Sequence, residues 1–173
     1  MTQPQNLPPL PCAEHLSPFI ELQQVLPSKI AAISPFIDRL MHSLKMLMKT
    51  LSDVDGDEVD IQIALAEALA NVVLHGNREN PHKCVHVTCR LSMDREISLT
   101  VRDEGEGFDS RAIADPTDRH NRLLPNGRGI YLMRALMDEV CFEENGRVVH
   151  MRKRLEATRT GERRMIFKTS NAR

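Results

Sequence analysis

The chain has almost no net charge. Lys+Arg 23 against Asp+Glu 24 leaves -1 at neutral pH, so the overall balance does not call for nucleic acid or an anionic membrane as partner. Its four cysteines, Cys12, Cys84, Cys89 and Cys141, form no CxxC pair and have no histidine at zinc-ligand spacing; this argues against structural zinc and predicts reduced thiols. The start, Met1 to Asn6, lacks the basic opening and apolar core of a signal peptide. No apolar run approaches the roughly 20 residues of a membrane helix, and a soluble, cytoplasmic protein is expected. There is no internal repeat, no Walker phosphate loop and no dinucleotide fingerprint.

With 173 residues, the chain is most simply one domain, large enough to bury a core without staples. Pro4, Pro8, Pro9 and Pro11 predict a flexible lead-in over 1–18, because proline denies the backbone its donors. The basic stretch from Arg147 to Arg173, with Arg152, Lys153, Arg154, Arg159, Arg163, Arg164 and Lys168 against only Glu156 and Glu162, predicts a solvated tail or edge hairpin, or a partner contact, with 156–173 as tail or edge strand. Between them, Phe19 to Leu26 reads as a strand stopped by Pro27. A helix from about Ser34 to Leu51 buries Ile37, Leu40, Met41, Leu44, Leu47 and Met48 on one face, with Ser34 as its cap and Pro35 in its first turn.

After a turn-rich break at Asp53 to Asp57, a second helix carries Val59, Ile61, Ile63, Ala64, Leu65, Ala68, Leu69, Val72 and Val73 and stops at Gly76. It is apolar over much of its circumference and should pack flat on a sheet. Strands are predicted at Cys84 to Leu91 and Ile97 to Arg102. From Asp109 to Asn126 the chain is polar and proline-bearing, as in a functional loop or lid. A helix from Gly129 turns Ile130, Met133, Leu136 and Met137 inward. A hairpin closes around Glu144-Asn145-Gly146, and a further strand near Met165 to Lys168 would fit.

Three short stretches carry the chemistry. On the second helix Glu67 and Asn71 lie one turn apart on one face, which suits a hard cation with oxygen ligands beside a group that accepts a proton. Asp103 falls where a strand ends and a loop begins. As a carboxylate it only accepts hydrogen bonds, which fits adenine's exocyclic amine and rejects guanine's carbonyl. Gly105 and Gly107 permit positive φ and close backbone approach. Gly127 and Gly129 precede a helix whose first amides favour anions, so a triphosphate is the expected guest.

In this order Glu67-Ala-Leu-Ala-Asn71-Val-Val-Leu-His75-Gly76-Asn77, Asp103-Glu-Gly105-Glu-Gly107-Phe108-Asp109 and Gly127-Arg-Gly129-Ile-Tyr-Leu-Met resemble the three boxes of the Bergerat-fold (GHKL) ATP-binding superfamily. That superfamily includes histidine kinases, type II topoisomerases, mismatch-repair ATPases and heat-shock chaperones. The likeness runs from Phe19 to about Leu155 and is greatest to the stand-alone anti-sigma factor serine kinases of bacteria. It implies an α+β two-layer sandwich, a mixed but mostly antiparallel sheet with helices on one face, and a kinase domain over 19–155. It also implies Mg-ATP as cofactor, a homodimer, a sigma factor held inactive, and a serine phosphorylated on a small antagonist protein, with no direct nucleic acid or membrane partner.

Carried over by position, Glu67 is the general base, Asn71 the Mg2+ ligand and Asp103 the adenine reader, while Gly105, Gly107, Gly127, Arg128 and Gly129 shape the nucleotide pocket. A lid arginine on the γ-phosphate is expected, with Arg119, Arg122 and Arg128 as candidates. His75 reads as a helix-end residue. Two rivals stand. A histidine kinase needs a separate dimerising hairpin, and the single helix bearing His42 is too little for one. A nucleotide-binding regulator without kinase activity, or with another target, is the other; binding alone has no need of Glu67.

Overall fold

The computed structural model describes residues 18–51, 57–107 and 128–156. In chain order these form β1 (Phe19–Pro27), α1 (Ile33–Leu51), α2 (Glu58–Asn71), β2 (Cys84–Ser92), β3 (Glu96–Arg102), α3 (Arg128–Leu136), β4 (Glu139–Glu143) and β5 (Val148–Arg154). A 3-10 turn at Ile30–Ala32 leads into α1, and a π-helical turn at Val72–Gly76 continues α2. The expected lead-in before Pro18, the break from 53 up to 56, the lid with Arg119 and Arg122, Gly127, and the basic tail with its extra strand lie outside the described residues.

Five strands form one sheet in the order β1-β2-β3-β5-β4. All pairings among the described residues are antiparallel, so the expectation of a mixed sheet gives way to a uniform one. Short turns that can only reverse direction set the β2–β3 and β4–β5 pairs, while β1–β2 and β3–β5 pair antiparallel across long connections. Strand alternation sorts the two faces as the sequence predicts. Val85, Val87, Cys89 and Leu91 of β2 and Ile97, Leu99 and Val101 of β3 are all buried, while His86, Arg90 and Arg102 of the opposite face are exposed. Burial pushes the Cys89 thiol up to about 12, which leaves it a small apolar group at neutral pH.

The helices cover the apolar face. α1 buries Phe36, Ile37, Leu40, Leu44 and Met48, whereas Met41 and Leu47 are only partly covered. It begins at Ile33, so Ser34 lies inside the helix and is not its cap; the 3-10 turn supplies the entry instead. α2 buries Ile61, Ala64, Leu65, Ala68 and Leu69. Val59 and Ile63, part of the wide apolar circumference, are exposed at 63% and 38%, because sheet and neighbouring helices cover only part of it. Glu58–Gly76 is long and apolar enough to cross a bilayer by length and composition. Ile61, Ala64, Leu65, Ala68, Leu69, Val72 and Val73 of this segment are nevertheless packed into the core, as in a helix with one face buried.

β5 contributes a charge to the helical side of the sheet, so Lys153 does not belong to the solvated or partner-contacting basic surface expected from the sequence. Lys153 pairs with Ile97 in register, so its stem points inward, and its ammonium donates to the Leu136 carbonyl at 2.7 Å and to Asp60 at 2.9 Å. Asp57, at the start of α2, lies 3.5 Å away and accepts the Glu156 amide through its other oxygen. One lysine thus joins the start of α2 to the end of α3.

Candidate functional site

The site lies along one side of α2 and its π-helical extension. Glu67 and Asn71 both face the first turn of α3. A Cβ added at Gly129 would stand 2.6 Å from Glu67 Oε2 and 3.3 Å from Asn71 Nδ2. Any side chain at 129 would therefore displace the carboxylate, and the glycine keeps the space between α2 and α3 open. Arg128 is exposed at the start of α3, whose free amide ends suit anions.

Further along the same helix, the π turn brings Gly76 onto the end of β3. Glu67 and Gly76 are about 13 Å apart along the axis at helical rise. A Cβ at Gly76 would meet Asp103 Oδ2 at 2.5 Å, and one at Gly105 would run into the Gly76 carbonyl oxygen. The helix end and the 103–105 loop are in direct backbone contact, with the Asp103 carboxyl between them. Asp103 is only 4% exposed; its Oδ1 accepts the Gly105 amide at 2.6 Å, and its own amide donates to the Arg147 carbonyl. Burial raises its pKa above the usual carboxylate value, opposed by the Gly105 amide and by the charges of Arg147, Lys83 and Arg102.

The glycines of the second stretch divide the labour that the sequence assigned to both. Gly107 alone has positive φ, at 81°, and a Cβ there would strike the Asn145 carbonyl oxygen. Gly105 is required for proximity. The loop thus rests between Gly76 on one side and the β4–β5 turn on the other. That turn has positive φ at Glu144, Asn145 and Gly146, and Arg102 holds it to the end of β3 through two hydrogen bonds to the Glu144 carboxylate.

Sequence reasoning assigned no role to two residues beside Asp103. Asn77 is buried and bonded to the Cys84 carbonyl and the Glu104 amide. Glu104 accepts the Cys84 amide and pairs with His86, which holds its carboxyl below the usual range. An asparagine just past a helix-ending glycine is the signal that could have pointed to the first. His75 is exposed on the π turn, in keeping with a helix-end residue. Glu67, Asn71, Arg128 and Gly129 are grouped at one end of the site, and Asp103, Gly105 and Gly107 at the other.

The residues fit a nucleotide with a hard cation at its phosphate end. The carboxylate and amide oxygens of Glu67 and Asn71 stand beside the start of α3, and no group of three His, Cys, Asp or Glu side chains forms a closed metal site among the described residues. Mg2+ suits such a place because it takes few protein ligands and completes its shell with water and phosphate oxygens.

Residues 31–153 match the histidine kinase-like ATPase domain family. An anti-sigma F factor of Heyndrickxia coagulans is 30% identical over 68% of this chain and 80% of its own length. The serine-protein kinase RsbW of Bacillus subtilis is 35% identical over 60% of this chain and 69% of its own. A crystal structure of RsbU and RsbW domains from Mycobacterium tuberculosis overlays with a TM-score of 0.48 at 18% identity, over 80% of this chain and 34% of that one. With Glu67 and Asn71 set against Gly129, Asp103 set against Gly76, and a family match over most of its length, the chain belongs to the histidine kinase-like ATPase domain family, alongside the anti-sigma F factors and RsbW kinases.

Proposed function

We propose that this protein is an anti-sigma factor serine kinase: it binds Mg-ATP, sequesters a sigma factor, and phosphorylates a serine on a small antagonist protein. The observation that carries the reading is the placement of Glu67 and Asn71 together against Gly129, in a chain of this family. The kinase domain spans 19–155, acts as a homodimer and works in the cytoplasm.

Each part of the site has a task. Asp103 accepts a hydrogen bond from the adenine amine, and its burial makes an unmatched base expensive. Gly105 and Gly107 let the backbone close on the nucleoside; Arg128 and Gly129 at the head of α3, together with Gly127 before them in the chain, receive the phosphates. Asn71 supplies one neutral oxygen to Mg2+. When bound, the ion screens phosphate charge and orients the terminal group. Glu67 takes the proton from the incoming serine hydroxyl as its oxygen bonds to the γ-phosphorus and the bond to the ADP oxygen breaks. The lid arginine is one of Arg119, Arg122 and Arg128.

The alternative, a nucleotide-binding regulator without transfer, has no use for a carboxylate at Glu67. The test is transfer of labelled γ-phosphate from ATP to candidate antagonist domains, beside capture of purified sigma factors. Phosphoserine on an antagonist together with nucleotide-dependent sigma capture supports the proposal. Sigma capture with no transfer to any antagonist favours the regulator.

A further inference from the structure

The hydrogen bonds around Asn77 form a closed ring. Asn77 Nδ2 donates to the Cys84 carbonyl at 2.9 Å, the Cys84 amide donates to the Glu104 carboxylate at 3.0 Å, and the Glu104 amide donates to Asn77 Oδ1 at 2.9 Å. The ring joins three separate pieces of chain: the end of the π turn, the start of β2 and the loop after β3. Asn77 is 2% exposed, and both polar atoms of its amide are used, as burial demands.

The backbone beyond Asn77 is held in a costly form. Arg78 and Glu79 have φ of 56° and 52°, successive left-handed conformations that side-chain-bearing residues avoid. The Glu79 amide is tied back to the Val73 carbonyl at 2.8 Å, so the π turn closes on itself and Asn77 is directed at β2. Such a turn persists where its surroundings over-determine it. On its other side the turn presents Gly76, against which the Asp103 carboxyl is packed. The ring therefore fixes the residue after Gly76 and the residue after Asp103 in the chain, and so leaves that carboxyl little freedom.

We propose that Asn77 is a positioning residue for base selection: by closing the ring with Cys84 and Glu104, its buried amide holds Asp103 against Gly76 in the one place where the carboxylate discriminates adenine from guanine. This rests on the reading of Asp103 as the base-contacting group. A fixed acceptor rejects a carbonyl because neither group can supply the proton, whereas a carboxylate free to swing aside, or to admit water, loses that penalty.

The experiment measures ATP and GTP affinities by calorimetry on the full chain with Mg2+, for wild type, Asn77→Ala, Asp103→Asn and the double variant. The preference for ATP should fall about tenfold in Asn77→Ala, and adding Asn77→Ala to Asp103→Asn should change it no further, since the first acts through the second. Equal loss of both affinities in Asn77→Ala, or the same drop in both backgrounds, would overturn the positioning role. The Asp103→Asn arm reports separately on the base reading, which fails if that variant alone keeps the wild-type preference. Should Asn77→Ala not fold, Glu104→Ala opens the ring from its exposed side. It should lower the preference about threefold, and an unchanged preference there contradicts the proposal.

Discussion

The Asp103 carboxylate sits in a place that disfavours its charge. Its folded pKa is raised chiefly by burial, so the folded state holds the proton more tightly than the unfolded one. The ionised form consequently costs stability once pH rises above the folded value, and the cost fades as pH falls through that value toward the unfolded one. Such a penalty is tolerated where a ligand donates to the group. Asp103→Asn should therefore melt above wild type without nucleotide at pH 7, with the gap closing on acidification, while ATP affinity drops about tenfold. Thermal melts from pH 4 to 7 and calorimetry check both halves; a destabilised ligand-free variant at pH 7 would show that the carboxylate is held for structure. At this scale the sequence exposed Asp103 through its strand-end position, but Asn77 stayed hidden because its partners come from β2 and the loop after β3.

Among the elements, α2 organises the molecule: one side enters the core, another carries Glu67 and Asn71, and its end meets β3. Its start is anchored by Lys153, whose side chain is 12% exposed. Desolvation pulls the Lys153 pKa down, but Asp60 and then Asp57 more than offset it, leaving the pKa raised. A raised lysine pKa adds stability that is complete below the unfolded value near 10.4 and is lost as pH climbs through the folded one. Lys153→Met should cost about 2–3 kcal/mol at pH 7 by leaving Asp60 and the Leu136 carbonyl unpaired, with the difference shrinking at a second pH above the raised folded value. Urea melts at the two pH values measure it, and a neutral effect at pH 7 would remove Lys153 as the tie between α2 and α3. The helices and strands were legible because apolar spacing at periods of 3.6 and 2 is written in the chain. The π turn was not, since Val72 to Gly76 shares the composition of the helix it widens, and the wider turn follows from contacts with β2 and β3.

For the whole molecule, the antiparallel pairing of the described strands sets the loop after β3 beside the π turn that ends α2. The order of the strands, with β5 between β3 and β4, was not readable from local pattern; it comes from non-local pairing. The two ends of the site were readable because each depends on residues close in sequence: Glu67 with Asn71, Asp103 with Gly105 and Gly107. Their union was not, because it depends on Gly129 packing against α2 and Gly76 against Asp103. The central claim is that this union binds ATP and that Glu67 adds proton removal to binding. The direct measurement is the rate of labelled phosphate transfer to an antagonist serine by wild type and Glu67→Gln, with ATP affinity determined on the same preparations. The account predicts transfer slowed by about 10²–10⁴-fold in Glu67→Gln at near wild-type ATP affinity; transfer at the wild-type rate would contradict it.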